Sequence, residues 1–184
     1  MAMLKKFRDN KFQKALSRRK ADLKRHVINK SFEDSVSFLL LFDCTTEEKY
    51  NEFTRIQSSL QLQKKKVHAI GFHGLPALPS WCNKSLHVAF IGKNDMSSSG
   101  IPSDELVDEF LNVPFDTLID LTYCMHPVLH WIIVLSQAQL KIGAGEKKIQ
   151  QIFDIAIEIL PDHTQEELFS MALHFQSMFQ KKQI

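Results

Sequence analysis

The sequence predicts a three-layer α/β domain of Rossmann-like type, with a mixed, mostly parallel sheet and a basic helix at the N-terminal side. Three observations carry this. Apolar runs of strand length recur at 36–42, 67–72, 86–91 and 117–121. They are too continuous for amphipathic helices and suit strands covered on both faces. Helical patterns with capping signals fall between most of them. The stretch 114–146 reads as strand, helix, strand: a run at 117–121, a helix opened by Pro127 and reaching about Ala138, and a short strand at 140–142 ended by Gly143 and Gly145. Proline costs little in a first helical turn, and a crossover of this length leaves its two strands parallel.

In chain order, residues 4–29 read as a helix whose apolar face holds Phe12, Leu16, Leu23 and Val27, with Leu4 and Phe7 extending it. Lys14, Arg18, Arg19, Lys20, Lys24 and Arg25 lie mostly on its other faces. Residues 1–30 hold eleven Lys or Arg against two Asp, while the remainder holds twelve against nineteen Asp or Glu. The chain therefore divides into a basic helix, 1–30, and an acidic α/β domain, 31–184. Such a stripe docks thinly. Two readings of the helix stay open: it lies on its own acidic body, or it contacts an acidic partner such as RNA, an anionic membrane surface or a protein.

The strand at 36–42 ends at Asp43, and Thr45 with Glu48 forms a capping-box pattern for the next helix. Tyr50, Phe53, Ile56 and Leu60 mark that helix's inner face. Between the strands at 67–72 and 86–91 the chain carries Gly74, Pro76 and Pro79 and no helical pattern. An antiparallel or a long parallel connection satisfies this. A short helix follows Ser103. Residues 153–159 alternate apolar and polar, as a strand near a sheet edge does, with a helix from Gln151 as the competing reading. Thr164 and Glu167 form a second capping box, and Leu168, Ala172, Phe175 and Phe179 make the inner stripe of the last helix.

The function classes narrow by exclusion. Three cysteines, Cys44, Cys82 and Cys124, form no C-x-x-C pair and no disulfide framework. No metal site is signalled: His126 and His130 stand four apart, but H-P-V-L-H is not H-E-x-x-H and no third ligand is marked. Neither G-x-G-x-x-G nor G-x-x-x-x-G-K-[ST] occurs, so no nucleotide cofactor is implied. The longest apolar runs are far short of a membrane span, and the N-terminal region lacks an apolar signal core, so a cytoplasmic location is expected. In open α/β sheets ligands gather beyond the carboxyl ends of the strands. Those ends offer Asp43, Lys93, Asp120, Cys124 and His126 as candidate site residues. Cys124 and His126 have the types needed for thiol nucleophile and base, with Asp43 or Asp120 to orient the imidazole. Asp116 and Asp120 stand about 13 Å apart along a strand, too far for a close acid–base pair. Asp116 reads as a strand-entry residue.

The basic helix, F-L-L-L-F-D at 38–43, P-F-D-T-L-I-D-L-T at 114–122 and L-S-Q-A-Q-L-K-I-G at 135–143 together resemble an uncharacterised Bacteroidetes family of small α/β proteins, a likeness that brings no established function. Residues 115–143 are also similar to the F-D-x-x-I-D-L…L-S-x-A…R-x-G segment in the N-terminal domain of heptosyltransferase-type glycosyltransferases. Lys141 stands where that segment has arginine, and a second Rossmann-like domain of those enzymes exceeds this chain's length. The resemblance implies the strand–helix–strand fold. The reading that leads is a non-enzymatic binding or adaptor role for the basic helix. The alternative is a small transferase-like enzyme, or a degenerate sugar- or nucleotide-binding domain, with a cleft at the strand exits.

Overall fold

The computed structural model describes residues 2–123, 126–144, 150–160 and 163–179, with side chains from residue 8 onward except that of Gln150. Six strands, β1 (Ser37–Asp43), β2 (Lys66–Phe72), β3 (Val88–Ile91), β4 (Thr117–Asp120), β5 (Leu140–Ala144) and β6 (Ile155–Ile157), form one sheet in the order β3-β2-β1-β4-β5-β6. Every pairing is parallel. This corrects the mixed sheet. β2 and β3 run parallel although no helix joins them. Their connection fills the crossover helix's place with side chains: Leu78, Trp81 and Cys82 pack into the core. Trp81 donates to the Cys44 carbonyl at 3.3 Å, and the backbone N–H of Asn83 donates to the Tyr50 hydroxyl at 3.1 Å.

Among the described residues five helices cover the sheet: α1 (Ala2–Ala21), α2 (Glu47–Leu62), α3 (Asp104–Leu111), α4 (Pro127–Leu135) and α5 (Gln165–Ser177). α2 and α5 lie on one face, and α1, α3 and α4 on the other. The central strand β1 supplies both layers by simple alternation. Phe38, Leu40 and Phe42 face α2 and α5, while Leu39 and Leu41 face the other layer. Phe42 stacks flat on Phe53 of α2 at 3.5 Å between ring centroids. α4 is apolar apart from His130, and its other residues from Val128 to Leu135 are buried, because the sheet, α1 and α3 pack around it.

Several expected boundaries move, each for a local reason. α1 ends at Ala21, so Leu23 and Val27 are not helical, and Val27 is exposed. Phe12 and Leu16, with Ala15 beside them, dock on the α4 side, with Phe12 5.7 Å from Trp131 between ring centroids. Beyond Ala21 the chain exchanges helical bonds for bonds to the start of β5. Arg25 Nε donates to the Ala138 carbonyl at 2.6 Å, and the Ile28 N–H donates to that of Gln139 at 3.2 Å. α2 is capped by Thr46, not Thr45, because Thr45 turns back to Asp43. α4 stops at Leu135, and β5 continues through Gly143 to Ala144. Gly143 is thus no terminator. A Cβ there would meet the Phe153 ring at 2.5 Å, so the ring occupies the space that glycine leaves. The 153–159 alternation is edge strand β6, preceded by a 3-10 turn at Gln150–Ile152. On α5 the inner position expected of Phe175 goes to Gln176, whose Nε2 donates to Thr117 and Ser35 at 2.8 and 2.9 Å.

Candidate functional site at the strand exits

The strand order places α2, which follows β1, on one face and α4, which follows β4, on the other. The adjacent strands β1 and β4 therefore flank the topological switch point, where open α/β sheets leave a crevice. A cleft of about 480 Å³ opens there. Asp43, Thr46, Glu48, Lys49 and Glu52 line it from the β1 side, Leu121, Thr122 and Tyr123 from the β4 side, and His163, Thr164 and Gln165 from the approach to α5.

Two copies of one local motif build the walls. Asp43-Cys44-Thr45 closes β1 and Asp120-Leu121-Thr122 closes β4. In each, the aspartate Oδ1 accepts from the N–H and the hydroxyl of the threonine two residues on, at 2.8 and 2.6 Å for Asp43 and 3.1 and 2.8 Å for Asp120. Asp43 also takes the Lys49 ammonium at 2.6 Å. Burial works against its charge, but the bonds from Lys49 and Thr45 outweigh it, and its pKa lies below the usual carboxylate value. Asp120 pairs with Leu41 across the sheet, deeper than Asp43, and is 1% exposed. Burial raises its carboxyl to about 7 against the pull of the Thr122 bonds. The repeated D-x-T at the ends of two apolar runs is legible in the sequence. The role of Lys49 is not, because six residues of separation mark no contact.

α5 locks the cleft from the side. Gln165 Oε1 accepts from the Asp43 N–H at 2.8 Å, its Nε2 donates to the Lys49 carbonyl at 2.8 Å, and its own N–H donates to Glu52 at 2.9 Å. Thr164 and Glu167 complete the capping box.

The candidate residues divide. Asp43 lines the cleft, and Asp120 lies buried beneath its β4 wall. His126 occupies the N-cap position of α4 in extended conformation, its ring 4.0 Å from that of Phe72. Burial lowers its pKa, with Asp43 opposing and Lys49 adding to that shift. His126 precedes α4 as its N-cap and its carbonyl accepts the His130 N–H at 3.0 Å, with its ring against Phe72 while the His130 ring meets Phe12. Lys93 is exposed on the turn after edge strand β3, two strands from β1 and outside the cleft. Cys124 lies outside the described residues. Cys44 and Cys82 are buried thiols, and burial pushes both pKa values up, Cys44 by more, which leaves little thiolate. Among the described residues no group of three or more His, Cys, Asp or Glu side chains could hold a metal ion.

The basic residues of the N-terminal region divide as well. Arg19 pairs with Asp104 and Asp108 of α3, Arg25 with Asp154, and Lys30 with Asp116. Lys14, Arg18, Lys20 and Lys24 are exposed and make no ion pair among the described residues, and the same holds for Lys11. Asp116 is the strand-entry anchor. Beside Lys30 it accepts from the N–H groups of Val36 and Ser37 at 2.8 and 3.0 Å. These bonds hold its pKa below the usual value although burial opposes them.

The fold and its switch-point cleft define a Rossmann-like α/β domain. Over residues 5–174 the chain matches DUF6913, a family of unknown function, and it belongs to that family. No curated protein matches it. No helix among the described residues is long and apolar enough to cross a membrane.

Proposed function

We propose that this chain is a non-enzymatic binding protein that holds an acidic partner, RNA foremost, on the outer face of α1. One observation carries the reading. Lys11, Lys14 and Arg18, at i, i+3 and i+7, stand exposed on the side of α1 away from buried Phe12 and Leu16. They span roughly 10 Å of helix, a length suited to successive phosphates. Arg19, Arg25 and Lys30 fasten the arm to the acidic body and leave this stripe to solvent. Insertion into a membrane would need the apolar face that α4 already takes, which favours a purely ionic contact. A cytoplasmic setting goes with RNA as the partner.

The test compares wild type with a Lys11→Ala, Lys14→Ala, Arg18→Ala triple variant. Each is titrated with a single-stranded RNA oligomer, an acidic peptide and anionic vesicles at low and physiological salt. The variant loses most RNA affinity, and the three lost contacts flatten the wild-type dependence of log affinity on log salt by about 2. Equal RNA binding by both proteins overturns the reading. Preference for the peptide moves the partner to a protein, and preference for vesicles moves it to a membrane surface.

The cleft favours a second reading, a small polar ligand held between the two D-x-T exits. Carboxylates, hydroxyls and the Tyr123 ring are the groups that hold sugars, while Asp43, Glu48 and Glu52 repel a phosphate. The similarity of 115–143 to heptosyltransferase-type enzymes points the same way, to a small transferase-like protein or a sugar-binding domain without turnover. Saturable shifts of the Tyr123 and Thr122 amide resonances on adding a hexose, lost in Asp43→Asn, would support it. A flat titration removes it.

A further inference from the structure

At the entry edge of β5, away from the strand-exit cleft, the surface holds a second, half-open cavity of about 310 Å³. Its walls come from the last turn of α1, the segment after it, the end of α4, the start of β5 and residues 151–152. Three cations line it, Lys20, Arg25 and Lys141, and no described carboxylate does. The rest is largely aliphatic, with Val134 and Ile152 among the lining.

Lys141 is the unusual member. It sits in an apolar strand, Leu140 on one side and Ile142 on the other, and is 3% exposed. Its Nζ donates to the carbonyls of Ile133 and Val134 at 2.6 and 3.3 Å, the last turn of α4, which uses two of its three N–H bonds. It has no ion pair among the described residues. Burial brings its pKa down to about 7, with Arg25 and Lys20 adding to the fall and Asp154 opposing it. Arg25 contributes charge but few donors, since its guanidinium already serves Asp154 and the carbonyls of Ala138 and Gln139. Lys20 contributes both. A buried ammonium is costly without an anion beside it, and here the space beside it is a cavity rimmed by further positive charge.

We infer that this cavity binds a small organic anion, a carboxylate with a short aliphatic body, with Lys141 and Lys20 as its charge partners. The donors left over, one N–H on Lys141 and those of Lys20, suit a monoanion better than a phosphate dianion. The aliphatic wall suits a hydrocarbon body. The inference does not rest on the α1 stripe, whose residues Lys11, Lys14 and Arg18 are not in this wall.

The test titrates the full chain calorimetrically with hexanoate, inorganic phosphate and hexylamine. Hexanoate saturates one site and hexylamine does not bind. Lys141→Met lowers hexanoate affinity at least about tenfold, the loss of a charged buried hydrogen bond. Lys20→Ala lowers it about two- to fivefold, as an exposed pair would. Lys20 makes no ion pair among the described residues, so that variant keeps its fold and decides the matter even where Lys141→Met does not fold. Wild-type affinity also falls as pH rises from about 6 to about 8.5, because the bound carboxylate favours the proton on Lys141. The charged groups that act on Lys141 are Arg25, Asp154 and Lys20. Absence of saturable hexanoate binding, or binding indifferent to Lys20→Ala, overturns the site. Phosphate displacing hexanoate at equal concentration overturns the assignment to a carboxylate.

Discussion

The exits of β1 and β4 carry the same three-residue motif and opposite electrostatics. At both, an aspartate receives the N–H and hydroxyl of a threonine two residues later. Only at β1 does a lysine reach in from the following helix. Asp43 is then held ionised, while Asp120, one strand over and deeper, rises to about 7. Two threonine donors do not offset the desolvation of a fully buried carboxylate, and an added ammonium does offset that of a half-buried one. Asp116, at the opposite end of β4, tests the rule. It is 8% exposed, yet Lys30 and two backbone N–H groups keep its pKa low. Donors together with a cation outweigh burial at Asp43 and Asp116, while at Asp120, the deepest of the three and without a cation, burial wins.

The largest effect expected from this contrast is in pH dependence. The folded pKa of Asp120 is above its unfolded value, so the native state binds the extra proton. Its contribution to stability is complete below about pH 4 and is lost as pH rises towards about 7. Asp120→Asn removes the titration. The variant therefore gains on wild type by up to about 4 kcal/mol between pH 4 and pH 8, the full worth of a three-unit shift. Urea midpoints of both proteins across that range measure it, and taking the difference cancels the groups that the two proteins share. A constant difference would show Asp120 to be ionised and partnered like Asp43.

Next in size is Asp116→Ala, at about 3 kcal/mol of destabilisation, because Lys30 and the N–H groups of Val36 and Ser37 lose their acceptor in a buried setting. Here the sign with pH reverses. Asp116 has a lowered folded pKa, so its contribution is present above about pH 4 and fades as pH falls through the folded value. The deficit of the variant should shrink in acid. A deficit unchanged with pH would mean that shape, not charge, fastens the entry of β4.

Much of this fold was legible in the sequence, and the part that was not has a common cause. The strand runs, the Thr164–Glu167 capping box, Pro127 at the start of α4 and the alternation of β6 are local signals, and each stands in the structure. The parallel course of β2 and β3 was not readable, because its connection carries no crossover helix and is held by Trp81 and Asn83 bonding to Cys44 and Tyr50. The end of α1 at Ala21 depends on Arg25 and Ile28 finding carbonyls more than a hundred residues away. At the candidate site, Asp43 and Asp120 were marked by the runs before them. Lys49 and Gln165 were not, since their contacts depend on where α2 and α5 land.

A smaller effect attaches to Lys49 itself. Lys49→Met leaves Asp43 with its threonine donors alone, the state of Asp120. The ammonium is 44% exposed, so the stability loss is about 1 kcal/mol or less. The Asp43 pKa should rise, read from the pH dependence of its carboxyl carbon resonance. An unmoved resonance would show that the shallow position of Asp43, rather than Lys49, keeps it ionised.

The smallest expected effect concerns charges with no internal partner. Replacing Lys11, Lys14 and Arg18 together by alanine should leave the melting temperature within about 2 °C of wild type, since small surface losses away from ion pairs are offset by alanine's helix preference and the net change stays within about 0.5 kcal/mol. Arg19→Ala is the internal control. It breaks two pairs to α3 and a contact over the Trp131 ring, 5.9 Å from guanidinium to centroid, and should cost about 1 kcal/mol. Both variants remove positive charge from one helix, three charges from the outer face in the first and one from the paired face in the second. If the stripe variant is destabilised as much as Arg19→Ala, those lysines and Arg18 serve the chain's own acidic body through space, and the outer face of α1 has no surplus charge to offer a partner. If it keeps its stability, the charge on that face contributes nothing to folding and is available for binding.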